Sequence, residues 1–219
     1  MAMSDTMLAL VIALPVLFIS MSLHEMMHAY AADKLGDPTA RLMGRVSVNP
    51  IRHIDPILTI LLPLLLIAIG AKFIFGAAKP VQVNFSQLRH GEFGGAIVGM
   101  IGPLTNLFIA IVAALIFNLA APTSELAYKI LGFTILINVG FFIFNSIPWP
   151  PLDGSRLLYA FAPRPLQAFM EAIERFGIAG LLIFIFLIYS VLWIPLFRIF
   201  IGLIHLLAPG LDLNFLLPG

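Results

Sequence analysis

The sequence contains no cysteine. That absence excludes a disulfide framework and any thiolate metal site, so a metal bound here must use His, Asp or Glu. Charge is scarce as well: Asp, Glu, Lys and Arg make up 11% of the 219 residues, and the formal net charge is only +1. A chain so close to neutral is no basic nucleic-acid binder. It also lacks an internal repeat, a low-complexity tract and a second polar domain, so residues 1–219 are expected to form one domain. What it has in abundance is apolar surface, with 61% hydrophobic residues and a mean hydropathy of +1.05. A soluble domain of this size cannot hide so much. A bilayer can.

Apolar stretches fall at about 7–32, 56–77, 94–121, 126–147 and 178–207. Crossing a hydrocarbon core of about 30 Å takes roughly 20 helical residues. The first stretch has neither a basic leading region nor a small-residue cleavage site, and it carries ionisable side chains, so it is expected to be a retained helix rather than a signal peptide. These features predict an all-α polytopic membrane protein with about five to six membrane segments. Two short polar–apolar alternations, at Arg45–Asn49 and Val81–Phe85, predict β-strands at the membrane surface that pair with each other.

Charge placement predicts topology. Lys34, Arg41, Arg45, Arg52, Lys72, Lys79, Arg89, Arg156, Arg164 and Arg175 all fall within 33–55, 72–92 and 150–176. The positive-inside rule puts those regions in the cytoplasm and the N-terminus outside. This holds only if 56–77 is re-entrant, entering and leaving on one side, with Pro63 providing the bend. Residues 178–194 are expected to span, with Trp193, Pro195 and Arg198 at the outer interface.

Within the first apolar helix, residues 24–28 read His-Glu-Met-Met-His. Positions i and i+4 share a helical face, so His24 and His28 can address one ion. A catalytic zinc site has three protein ligands and keeps one position for water, whose pKa it lowers towards about 7. Glu25, beside the first ligand, is placed to act as general base. Ionisable groups near a bilayer centre cost at least roughly 2.5–3.5 kcal/mol each on insertion scales, and a divalent cation offsets that cost. A third ligand is required, and His53, Asp55, Glu92, Asp153, Glu171 and Glu174 are the candidates. Asp153 stands out because the prolines of Asn145-Ser-Ile-Pro-Trp-Pro-Pro-Leu-Asp153-Gly154 must break the preceding helix, which leaves backbone carbonyls in need of partners. Counted along their helices, Asp153 and the histidine pair fall towards the same side of the membrane, provided that 56–77 is re-entrant.

The chain resembles the site-2 protease family of intramembrane zinc metalloproteases. The matching pieces occur in family order: His24-Glu25-Met26-Met27-His28, the Arg45-to-Pro56 stretch, Ala78-Lys79-Pro80-Val81, Gly102-Pro103-Leu104-Thr105-Asn106, and Asn145 to Gly154. The resemblance implies one Zn2+ per chain held by His24, His28 and Asp153, with Glu25 as catalytic base and Asn145 binding substrate backbone or the developing oxyanion. It further implies a single transmembrane metalloprotease domain that cleaves single-pass transmembrane substrates by regulated intramembrane proteolysis. The expected location is a prokaryotic inner membrane, with the active site towards the cytoplasm. With no inserted PDZ or appended nucleotide-sensing domain, the chain looks like the short microbial form. It departs from the family pattern at Gln82, Ser155 and Leu58, none of which is a presumed ligand or the base. Asn106 suits a helix-packing or capping role at least as well as a catalytic one. Intramembrane His and Asp also mark ion pathways, but beyond Asn118 and Asn138 the other helices offer too few polar groups for a metal transporter. A non-catalytic binding protein would have no need of an intact base and ligand set.

Overall fold

The computed structural model describes residues 5–61, 65, 78–177, 180, 184 and 191–216. Among these the structure is helical and no strand occurs. Helix α1 spans Asp5–Lys34, α2 is a single turn at Thr39–Leu42, and α3 and α4 span Glu92–Ala120 and Glu125–Asn145. Two short helices follow, α5 at Gly154–Phe161 and α6 at Arg164–Arg175, and α7 spans Trp193–Leu207. Met7–Lys34, Glu92–Ala120 and Glu125–Asn145 are long and apolar enough to cross a membrane. The chain is thus an integral membrane protein.

Midway along the three long helices several polar side chains are buried, while many of the large apolar ones are exposed. On α1, Ser20, Ser22, His24 and His28 are buried, whereas Leu10, Val11, Leu14 and Ile19 are exposed. On α3 the buried face is a stripe of small residues, Gly95, Gly99, Gly102, Asn106, Ala110 and Ala113, opposite exposed Ile97, Leu104, Phe108 and Leu115. Lipid tails solvate the outer face as well as a protein core would, so close backbone approach along small residues is what brings such helices together. α3 is accordingly the central element, packed against α1, α4 and α5.

Two apolar clusters bracket the middle of the bundle. One joins Ile12, Ala110, Ala114, Phe117, Phe133, Leu136 and Val139 to Ile204 and Ala208 of the last helix region. The other joins Ala31, Ala32, Leu88 and Val98. His24 and His28 fall between them along α1.

The regions rich in Lys and Arg gather at the second end. Arg89 N–H donates to the Leu35 carbonyl at 2.7 Å, and the Arg156 guanidinium lies 4.4 Å from the centre of the Phe85 ring. Lys79 N–H donates to the His53 carbonyl at 2.9 Å, and buried Arg45 reaches the carbonyls of Arg52 and Pro80. The two ends of the 54–78 stretch therefore meet at one place. Pro56–Leu61 forms a π-helical turn, and most of the remaining expected re-entrant segment lies outside the described residues.

Two expectations are corrected here. The alternations at 45–49 and 81–85 do not form paired strands. In the first, Arg45 N–H is taken by the Ala40 carbonyl and Ser47 N–H by the Arg45 carbonyl, while the Ser47 carbonyl faces His53 Nε2 at 2.7 Å. Local turns and side chains thus use the groups a ladder would need. In the second, Val81–Asn84 is irregular backbone leading into a 3-10 turn at Phe85–Gln87, capped by the Asn84 side chain. Trp193, Pro195 and Arg198 do not end a span either. They begin α7, which passes Gly140 at Phe200 and ends where the Leu207 carbonyl accepts from Asn118, at the far end of α3. Most of the expected 178–194 span lies outside the described residues.

Candidate metal centre

His24 and His28 stand one turn apart on α1, and the Pro-rich turn after α4 delivers Asp153 to them. His24 Nε2 lies 3.0 Å from Asp153 Oδ2, His28 Nε2 lies 3.3 Å from the same oxygen, and the two Nε2 atoms are 3.0 Å apart. Both histidines are buried. Residues 129 positions apart in sequence thus present three donor atoms to one point.

The far nitrogen of each ring has its own partner. His28 Nδ1 is 2.6 Å from the Val98 carbonyl and His24 Nδ1 is 2.5 Å from Asn106 Oδ1. Both are oxygen acceptors, so each Nδ1 carries the proton and each Nε2 turns a bare lone pair inward. Hydrogen bonds of this kind fix tautomer and ring orientation at metal-binding histidines. Two lone pairs and a carboxylate oxygen about 3 Å apart repel one another unless a positive charge sits among them. A proton bridges one pair; a metal ion satisfies all three.

The spacing suits zinc. A tetrahedral ion with ligands at about 2.0–2.1 Å holds them about 3.3 Å apart, and the observed separations are 3.0, 3.0 and 3.3 Å. The backbone leaves room for the imidazoles. A Cβ on Gly102 would sit 2.4 Å from His28 Nε2 and 2.8 Å from His24 Cε1. One turn earlier, a Cβ on Gly99 would sit 2.8 Å from the Asp153 carbonyl oxygen. α3 thus forms a floor under the donor cluster because two side chains are missing from it.

The other third-ligand candidates are placed elsewhere. Glu174 pairs with Arg156 at 2.9 Å, and Glu171 accepts from the Tyr159 hydroxyl at 2.6 Å. Asp55 accepts from Ile57 N–H, His53 faces the Ser47 carbonyl, and Glu92 opens α3. Glu25 follows His24 on α1, half-buried, with no hydrogen bond or ion pair to any described residue. Asn145 does not join the donor cluster: its side-chain N–H donates to the Phe141 carbonyl of its own helix at 3.1 Å.

Sequence reasoning assigned no site role to Asn138 or Ser20 and left Asn106 undecided. Asn106 and Asn138 are fully buried and joined by a 2.8 Å hydrogen bond from Asn106 Nδ2 to Asn138 Oδ1. The available signal was an amide in the middle of an otherwise apolar membrane helix, twice over.

Comparison with known proteins decides the family. The chain is 34% identical over 187 residues to a Bacillus subtilis protein named "Putative zinc metalloprotease YwhC", an alignment covering 81% of this chain and 82% of that one. The chain belongs to the site-2 protease family. Proteins carrying the same description under the name Rip2 match at 30% identity in Mycolicibacterium smegmatis and 27% in Mycobacterium tuberculosis. Those alignments cover 62% and 75% of this chain, and 51% and 62% of the mycobacterial proteins, which extend well beyond it. No family model and no solved structure matches the chain.

Proposed function

We propose that this site-2 protease is a zinc-dependent intramembrane endopeptidase that hydrolyses peptide bonds in or near transmembrane segments of other membrane proteins. The observation that carries this reading is the convergence of His24, His28 and Asp153 within a bundle of apolar helices. The zinc metalloprotease names of its relatives support it.

His24, His28 and Asp153 would hold the ion, which when bound polarises a carbonyl and acidifies water. Glu25, adjacent in sequence to a ligand and uncommitted to any described partner, takes the proton of the attacking water and passes it to the leaving amine. Asn145 lies at the end of α4, at the start of the turn that delivers Asp153. Turned away from the Phe141 carbonyl, its amide N–H would be free to donate to a substrate carbonyl. The active site faces the cytoplasm of a prokaryotic cell, since the Lys- and Arg-rich regions gather at the end of the bundle towards which α1 runs past His28.

A peptide bond inside a helix has its carbonyl already occupied, so the substrate must unwind before it is cut. Val81-Gln82-Val83 suits the task of holding the unwound chain. Its backbone groups make no hydrogen bond with described residues, and Val83 packs against the cluster of Ala31, Ala32 and Val98. Val98 is also the residue whose carbonyl holds His28. An extended substrate laid along such a segment recovers the main-chain hydrogen bonds that its helix lost.

The test is Glu25→Gln, assayed on a panel of single-pass membrane segments with metal analysis of the same preparation. Zinc stays at the parent level and cleavage is lost. A Glu25→Gln protein that cuts at the parent rate removes Glu25 from the chemistry, and a parent protein without zinc removes the metal centre itself.

A further inference from the structure

The two buried amides deserve a role beyond packing. Asn106 on α3 and Asn138 on α4 are both 0% exposed, inside helices otherwise apolar at that level. Burying unpaired amides in such surroundings costs several kcal/mol, yet each of these has a partner. Asn138 Nδ2 donates to Thr134 O and to Ser20 Oγ, both at 2.8 Å. Asn138 Oδ1 accepts from Asn106 Nδ2 at 2.8 Å, and Asn106 Oδ1 faces His24 Nδ1 at 2.5 Å.

The order of donors and acceptors along this chain is not arbitrary. Thr134 O is a backbone carbonyl and can only accept, so the nitrogen of Asn138 must face it. The Asn138 oxygen then faces Asn106 and demands its nitrogen. That leaves the Asn106 oxygen for His24, which must put its proton on Nδ1. The Ser20 carbonyl, 3.5 Å from Asn106 Nδ2, adds only a long contact in the same sense. His28 needs no such chain, because the Val98 carbonyl meets its Nδ1 directly.

We propose that Asn138 is a positioning residue for the metal centre: through Asn106 it dictates which nitrogen of His24 is bare, although it touches no donor atom itself. Without it, the Asn106 amide can turn over and offer an N–H to His24 Nδ1. That tautomer puts the ring proton on Nε2, in the place the metal requires. The proposal rests on the metal-centre reading, and the experiment below separates the two.

The test is zinc affinity of the purified full chain in detergent, read by competition with a chromophoric chelator. Asn138→Leu, close to Asn in shape but unable to hydrogen-bond, weakens zinc roughly 10–100-fold, the range for loss of a ligand-orienting hydrogen bond. Asn106→Asp cannot present an N–H whichever way it turns. Introduced into Asn138→Leu, it returns the affinity to that of Asn106→Asp alone, whereas a packing role for Asn138 predicts no rescue. Should Asn138→Leu lose its helices by circular dichroism, Asn138→Asp makes the same comparison. Its carboxyl still accepts from Asn106, so zinc binding holds, and a folded Asn138→Asp protein that binds zinc roughly 10-fold or more weakly than the parent overturns the proposal. Parent-like affinity in Asn138→Leu, or no rescue by Asn106→Asp, overturns the proposal. A parent chain that binds no zinc at all overturns the metal-centre reading instead.

Discussion

Replacing Gly102 with Ala adds one methyl group to the floor of the metal centre, and its effect follows from three distances. The new Cβ would lie 2.4 Å from His28 Nε2, 2.6 Å from His28 Cε1 and 2.8 Å from His24 Cε1. Ordinary contact begins near 3.4 Å, so the His28 ring must retreat by about 1 Å while the His24 ring yields by somewhat less. Metal–ligand distances in a working site tolerate about 0.2 Å. The rings cannot slide freely either, since each Nδ1 is tied to an acceptor at 2.5–2.6 Å. Zinc affinity should therefore fall at least as far as for loss of a ligand-orienting hydrogen bond, about 10–100-fold. The fold should survive. Overpacking costs about 1–3 kcal/mol, and Ala returns up to about 1 kcal/mol of helix propensity. Gly140→Ala on α4 is the control, because among the described residues its Cβ would meet only Phe200 Cε2 at 3.8 Å. Both variants are purified in detergent, their zinc content is measured, and thermal unfolding is followed by circular dichroism. Zinc lost in Gly102→Ala and kept in Gly140→Ala is the expected result. A Gly102→Ala protein with one zinc per chain at parent affinity would refute the placement of the donors over this glycine.

Asn145→Ala should keep its zinc and lose about 10²–10³-fold in turnover number if the amide donates to the developing oxyanion; unchanged turnover restricts Asn145 to its bond with Phe141. Proline placed in turn at Val81, Gln82 and Val83 should depress cleavage and spare zinc, and full activity in all three variants would remove that segment from substrate binding. Asp37, buried just past the end of α1, accepts from the N–H groups of Thr39 at 2.9 Å and Asn84 at 2.6 Å. Burial raises this carboxyl, but the hydrogen bonds from Thr39 and Asn84 prevail and hold it below its ordinary value. Its stabilisation is therefore complete above the unfolded pKa of about 3.9 and lost as the pH falls through the lower folded value. Asp37→Asn should unfold at lower temperature than the parent at pH 7, with a gap that narrows as acid is added; a gap independent of pH would deny the carboxylate this role.

Much of this could be read before any coordinates. Helical periodicity is local, so four residues' separation was enough to put His24 and His28 on one face of α1. Hydropathy marked the three long helices, because crossing lipid demands an uninterrupted apolar run. The scarcity of Lys and Arg made their placement informative, and among the described residues 33–55, 78–92 and 150–176 meet at one end, whereas Lys129 and Arg198 lie outside these regions. Asp153 drew attention because three prolines preceding it cannot continue a helix.

Tertiary structure decided the rest. Asp153 was one of six candidates until packing brought it within 3.3 Å of both imidazoles. The alternations at 45–49 and 81–85 looked like strands, but turns and side chains claim the backbone groups of the first, and the second is irregular backbone that Asp37 ties down at Asn84 before a 3-10 turn. Asn106, Asn138 and Ser20 lie on three helices, and nothing along the sequence says that they share a hydrogen-bond chain ending on His24. Gly102 likewise reads as one more small residue until the rings above it are placed. A sequence dictates what each segment can do with its neighbours a turn away; which lone pair meets which proton across the bundle is settled only when the helices dock, because those contacts join residues that the chain itself keeps far apart.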